Sequence, residues 1–222
     1  MMIFMGICDM KHMRWMRAAL GALLAVGCSG NGATPVDPVI TPPGGGTPET
    51  SLQFLRPATG TALRTDSVSF WAVKGQDREV AMYYRPNSGR SDSVRFLRFR
   101  VRNESLLKRP DGTAFAAGDS VRITIRVKDF SKLITEFSPS GLTFSSLRPA
   151  ELRLDFKNAD QDFNRDGVVN QTDANIVPTF AIWKQEAVGL PWFKLTSAVE
   201  VSTDLSEVKA DVVSFTNHAV AW

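Results

Sequence analysis

The chain has 222 residues, 43% of them hydrophobic, with a formal net charge of +3 and two cysteines. The apolar content is enough for a real core in one large or two small domains. The excess positive charge comes from the first 27 residues, where Lys11, Arg14 and Arg17 outnumber Asp9; the remainder carries 23 basic against 22 acidic side chains, so the high isoelectric point makes no case for nucleic acid. Cys8 and Cys28 both precede the part expected to fold, which excludes an internal disulfide or a cysteine zinc cluster there. A small domain without disulfides has to be held by core size or by metal.

Residues 10–17 form a basic region and residues 18–26 an apolar run that ends at Gly27 and Cys28. Such a run is too short to span a bilayer as a stable anchor, so residues 1–27 are expected to be an export signal, with Met10 a better start than Met1. The string L-A-V-G-C at 24–28 resembles the lipobox of bacterial lipoproteins. That resemblance implies cleavage after Gly27 and lipidation of Cys28, placing the chain on the extracytoplasmic side of a membrane, the outer membrane being expected. The alternative is an ordinary signal peptide with an incidental cysteine. Residues 28–50, with Pro35, Pro38, Pro42, Pro43, Pro48 and three consecutive glycines, are expected to be a disordered tether.

From residue 52 the pattern is all-β: short alternating runs separated by Gly, Pro, Asp and Asn. Runs 67–73 and 79–85, joined by Lys74, Gly75, Gln76 and Asp77, predict a hairpin. In 95–102, Leu97, Phe99 and Val101 face one way and Arg98, Arg100 and Arg102 the other. Run 120–127 repeats this, with Arg122 and Arg126 outward, and the period of two predicts sheets packed on one face. The arginine faces would suit lipid phosphate or acidic polysaccharide, or would be a solvated sheet face balanced by acids such as Glu151 and Asp155 in strand 150–156. Residues 51–105 belong either to the same sandwich as 106–222 or to a small separate β-domain.

Residues 162–173 read D-F-N-R-D-G-V-V-N-Q-T-D. Side-chain oxygens of Asp162, Asn164, Asp166, Asn170 and Asp173 fall at loop positions one, three, five, nine and twelve, the ligand spacing of a calcium loop. Gly167 at position six provides the sharp turn, Val168 at seven would offer its carbonyl, and Val169 at eight is expected to pack inward. Three clustered carboxylates would repel one another unless a hard cation joins them. Asp173 is one methylene shorter than the usual twelfth-position glutamate, and Pro178 limits any following helix to a turn or two, so a structural clip is expected over a sensor. The bland alternative is an acidic surface turn.

The strings S-P-S-G-L-T-F at 138–144 and P-A-E-L-R-L-D-F at 149–156 resemble the ZU-type β-domain of ankyrins, netrin receptors and zonula occludens proteins. Trp183, Trp192, the run 208–212 and the Phe215 to Val220 ending agree, although the histidine is displaced. The resemblance covers roughly 106–222 and implies a sandwich used for binding or spacing, with no catalytic residues. The calcium loop also resembles one half of a dockerin, a module that grips a cohesin with two such loops; one loop is found here, inserted between two strands.

No G-x-S-x-G elbow is present, and beyond the signal the one histidine is His218, expected near the last strand as a satisfied or exposed side chain. Glu136 and Glu151 could in principle pair for glycoside chemistry, but no spacing selects them. Trp71, Trp183 and Trp192 are expected in the core, with sugar stacking the alternative. The expectation is therefore a non-enzymatic, membrane-anchored lipoprotein with a calcium-stabilised antiparallel β-sandwich. Its rival is a dockerin-like or adhesion module binding a protein or polysaccharide at the cell surface.

Overall fold

β-Branched and aromatic residues pack well on a pleated face when charged residues take the other, and that alternation sets the strands here. In β3 (Arg95–Val101), Leu97, Phe99 and Val101 are buried while Arg98 and Arg100 stay partly open on the opposite face. The computed structural model describes residues 45–86, 94–197 and 199–222. The expected signal segment, Cys28 and the tether up to residue 44 lie outside the described residues.

The remaining strands are β1 (Ser67–Val73), β2 (Arg78–Tyr83), β4 (Leu106–Lys108), β5 (Ser120–Asp129), β6 (Ile134–Ser138), β7 (Thr143–Phe144), β8 (Ala150–Asp155), β9 (Ala181–Gln185), β10 (Phe193–Lys194), β11 (Glu200–Ser202), β12 (Glu207–Val212) and β13 (Asn217–Ala221). A six-stranded sheet runs β1-β5-β6-β13-β9-β10, a five-stranded sheet runs β11-β12-β8-β3-β2, and β4 and β7 form a ribbon. The pairings are antiparallel. The inner faces meet in one cluster, with Phe70, Ile123, Ile125 and Phe137 from one sheet against Phe99, Leu152, Leu154 and Val208 from the other. Phe99 is central, its ring 5.2 Å from Phe137 and 5.6 Å from Phe215. This is the all-β sandwich the alternation implied.

The expected hairpin does not form. β1 pairs with β5 and β2 with β3, so residues 74–77 cross between sheets. Backbone bonds from Lys74 to Asp119 and from Gly75 to Asn103 hold that crossing, and they come from chain far away in sequence, which a local turn signal does not contain. β3 also pairs with β8, which puts the strands of residues 67–101 in the same two sheets as those that follow.

Residues 45–50, assigned to the tether from their composition, form part of the fold with residues 51–58, and we call residues 45–58 the strap. β6 accompanies β13 only at Asn217 and His218. The strap takes the place of β6 beyond that point: Gln53 and Trp222 exchange backbone bonds of 3.1 Å, and the Leu55 N–H donates to the Val220 carbonyl. Leu52 and Phe54 then cluster with Ile134, Trp192, Ala219 and Ala221. Upstream, Thr47 and Trp192 exchange bonds of 2.8 Å, and Glu49 pairs with Lys132. A Cβ at Gly46 would sit 2.7 Å from Pro191 Cβ and 2.8 Å from the Phe193 ring. Gly46→Ala is therefore expected to cost about 1–3 kcal/mol by overpacking, read as a lower urea midpoint.

Candidate metal centre

The loop leaves β8 in the five-stranded sheet and enters β9 in the six-stranded one, so it is the crossing at one end of the sandwich. Phe163 pegs it there, buried with its ring 5.0 Å from Phe180 and 5.9 Å from Trp222, both edge-on. With position two fixed in the core, the polar side chains on either side turn into the loop.

Asp162 accepts from the Asp166 N–H at 3.1 Å and, through its other oxygen, from the Gly167 N–H at 2.9 Å. Asn164 Oδ1 accepts from the Asp166 N–H at 3.0 Å, and its amide donates to Asp166 at 2.8 Å. Asp166 Oδ1 accepts from the Val168 N–H at 2.9 Å. Asp173 closes the circle, accepting from the Asn164 N–H at 3.0 Å and the Asn170 N–H at 2.9 Å. Two residues reach the left-handed region to make this turn, Arg165 at φ 63° and Gly167 at φ 87°. Gly167 does so without the Cβ clash that a side chain brings.

Asn170 also caps the helix that follows the loop. Its Oδ1 accepts from the Thr172 N–H at 2.7 Å, making it the N-cap of α1 (Gln171–Ile176), the one α-helix among the described residues, with Asp173 completing a capping box. Its amide donates to the Val168 carbonyl at 3.2 Å, so positions seven and nine engage each other. Val169 does not pack inward: it is 65% exposed and Val168 is 59% exposed, because the core peg is Phe163. α1 is short as Pro178 required, passing into a single 3-10 turn, Val177–Thr179.

Among the described residues, no Lys, Arg or His nitrogen comes within 4.0 Å of Asp162, Asp166 or Asp173. The N–H groups of Asn170 and then Asn164 hold the Asp173 carboxyl below its ordinary range, so this side chain is ionised although only 2% exposed. No three His, Cys, Asp or Glu side chains among the described residues are gathered as a metal-holding group by themselves. The loop's oxygens are a mixed set of carboxylate, amide and carbonyl, the kind a hard cation accepts.

On both sheets, several acids sit with bases. On the outer face of the five-stranded sheet, Glu151 faces Arg153 at 2.7 Å, Arg102 at 3.2 Å and Arg98 at 3.6 Å. Arg95 reaches both Asp155 at 2.9 Å and Glu207 at 2.8 Å. The β3 arginine face is thus balanced by acids from β8 and β12. On the other sheet Arg126 and Lys128 meet Glu136. Glu136 and Glu151 lie on different sheets, each held by its own bases, and do not form a carboxylate pair. Trp192 is fully buried, Trp183 donates to the Ala221 carbonyl, and Trp71 is 60% exposed, so the three tryptophans share no open face.

His218 is neither exposed nor satisfied. It is fully buried against Phe137, at 5.0 Å between rings, and neither ring nitrogen has a well-formed hydrogen bond. Burial, helped by the Lys184 charge, pushes its pKa down to about 3, and the Thr216 backbone offsets this only slightly.

Sequence reasoning missed Phe163, whose signal was available as an aromatic between two polar ligand positions. It also missed Arg165 and the strap, for which the sequence holds no local signal.

Fold and loop together define an antiparallel β-sandwich with an acidic, self-wrapped crossing loop. Comparison with protein-family models, curated proteins and solved structures gives no significant match.

Proposed function

We propose that residues 162–173 bind calcium and that the domain is a calcium-stabilised, non-enzymatic sandwich carried outside the cytoplasm on a lipid anchor at Cys28. The observation that carries this reading is three carboxylates wrapped into one loop, none of them in an ion pair with a cationic side chain among the described residues. Asp162, Asn164, Asp166 and Asp173 would supply inward oxygens, and the Val168 carbonyl and Asn170 would complete the set. Calcium supplies the positive charge that offsets carboxylate repulsion. The chain's own part is to hold those oxygens convergent, through Phe163 in the core and Gly167 at the turn. No helix among the described residues is long and apolar enough to cross a membrane, and a lipid at Cys28 requires none. The ZU-type and dockerin-like resemblances rest on the motifs quoted above and suit a spacing or binding role.

Calcium is expected to stabilise the full chain by about 3 kcal/mol at a hundredfold excess over Kd, a rise of roughly 5–10 °C in Tm that EDTA reverses. The Asp162→Ala/Asp166→Ala double variant should show neither calorimetric binding nor the shift. Unchanged melting in wild-type protein, with no heat of binding, would leave an acidic turn. Val168 and Val169, exposed side by side at the loop tip, favour a second reading in which this tip meets a protein partner at the cell surface.

A further inference from the structure

The strap is held from two sides. β13 takes one edge through the bonds of Gln53 and Leu55 to Trp222 and Val220. The other edge is taken by the arm of the acidic loop. The Asp160 N–H donates to the Arg56 carbonyl at 2.8 Å, and the Ala58 N–H to the Asn158 carbonyl at 2.9 Å. Pro57 bridges Ala159, and the Arg56 guanidinium faces Asp160 at 3.5 Å. Arg165, fourth in the loop, donates from Nη2 to the Phe54 carbonyl at 3.4 Å.

This last contact depends on the loop's internal wrapping. Arg165 has φ 63°, and the bonds that keep it there are those of its neighbours: Asp166 to Asp162 and Asn164, and Gly167 to Asp162. The oxygens that hold the left-handed turn are therefore the same ones expected to bind the cation. With the turn relaxed, three residues of chain leave the guanidinium with no fixed aim at Phe54.

We propose that calcium in the 162–173 loop locks the strap onto the sandwich, with Arg165 as the positioning residue that links the two. This rests on the calcium reading above. The strap is the first described segment of the domain and follows the expected tether, so the cation would govern the point at which the domain meets its attachment. An ordered loop keeps Phe54 and Leu52 seated over Trp192 and Ala221. A disordered loop removes the Arg165 contact and loosens the outer edge of the strap, which residues 158–160 and β13 then hold with less support.

Amide hydrogen exchange on the full chain, with calcium binding followed in parallel by calorimetry, tests the link. Calcium should slow exchange at Leu55 and Ala58 by about tenfold or more, while core amides paired between β3 and β8 change little. Arg165→Asn removes the guanidinium yet suits the left-handed backbone, so it should bind calcium normally and lose that extra protection. Calcium binding with unchanged exchange at Leu55 and Ala58 overturns the lock. Full calcium-dependent protection in Arg165→Asn overturns the role of Arg165. Absence of calorimetric binding in the wild type removes the calcium reading itself, a separate failure.

Discussion

Glu207→Ala is expected to destabilise the domain by about 3–5 kcal/mol, the range for removing one partner of a buried ionic cluster. Glu207 is 2% exposed and meets Arg95 and Arg153 together, and Arg153 is also shared with Glu151. Truncation leaves two guanidinium groups short of a carboxylate in a half-buried sheet face where they have already lost water. The cost should appear as a lower urea midpoint with an unchanged slope. Asp155 lies directly opposite Glu207 across the ladder, and burial, with the Glu207 charge adding to it, raises its pKa to about 6 against the pull of Arg95. Removing Glu207 should therefore lower the Asp155 pKa, which carbon-detected titration can follow. A loss below about 1 kcal/mol would mean the cluster behaves as an exposed one.

His218→Met should change stability in a pH-dependent way. The native side chain refuses a proton until about pH 3, whereas the unfolded one accepts it near 6.5. Below 6.5 the unfolded state therefore binds more protons, and native stability falls as pH falls, by roughly 2 kcal/mol between pH 7.5 and 5. Asp155 works in the opposite direction. Its native pKa of about 6 lies above the ordinary 3.8, so acidification between those values favours the folded state and returns roughly 1 kcal/mol by pH 5. The wild-type profile thus hides much of the histidine's effect, and the comparison of variant with wild type isolates it. Met nearly matches His in volume and removes two unpaired buried nitrogens, so the variant should be at least as stable at pH 7.5. Its advantage should grow by roughly 2 kcal/mol by pH 5. An advantage that does not vary with pH would show that His218 finds a proton partner in the folded state.

The sandwich core and the ion-paired sheet face hold the two ends of the loop, β8 and β9, at fixed positions. The loop can then carry three carboxylates without an ion pair to any of them and still keep a defined turn. A cation at that crossing would join the two sheets at one end, and through Arg165 it would also reach the strap.

Much of the site was readable before the fold. The spacing of Asp162, Asn164, Asp166, Gly167 and Asp173 is local, and local hydrogen bonding among those residues shapes the loop, so position in sequence was enough. Asn170 has a second use that the spacing alone did not separate from the first, since the same oxygen also caps α1. Val169 was misjudged because which loop side chain faces inward depends on where Phe180 and Trp222 lie, and these flank β9 and β13, outside the loop.

The same division runs through the whole chain. Alternation of side chains by itself determined that the protein is all-β and which face of each strand is apolar, since burial follows the period of the pleat. It determined too that the acids of 162–173 share one turn. Only the tertiary structure decided which strands are neighbours: that β1 joins β5 across 46 intervening residues or more while β2 joins β3, and that residues 53–55 complete the edge β6 abandons. It also decided that Glu151 and Glu207 neutralise the β3 and β8 arginines and that His218 is sealed in the core. Pairing and burial are set by long-range packing, in which each contact is worth little alone and distant segments select one another, so no short stretch of sequence contains the answer.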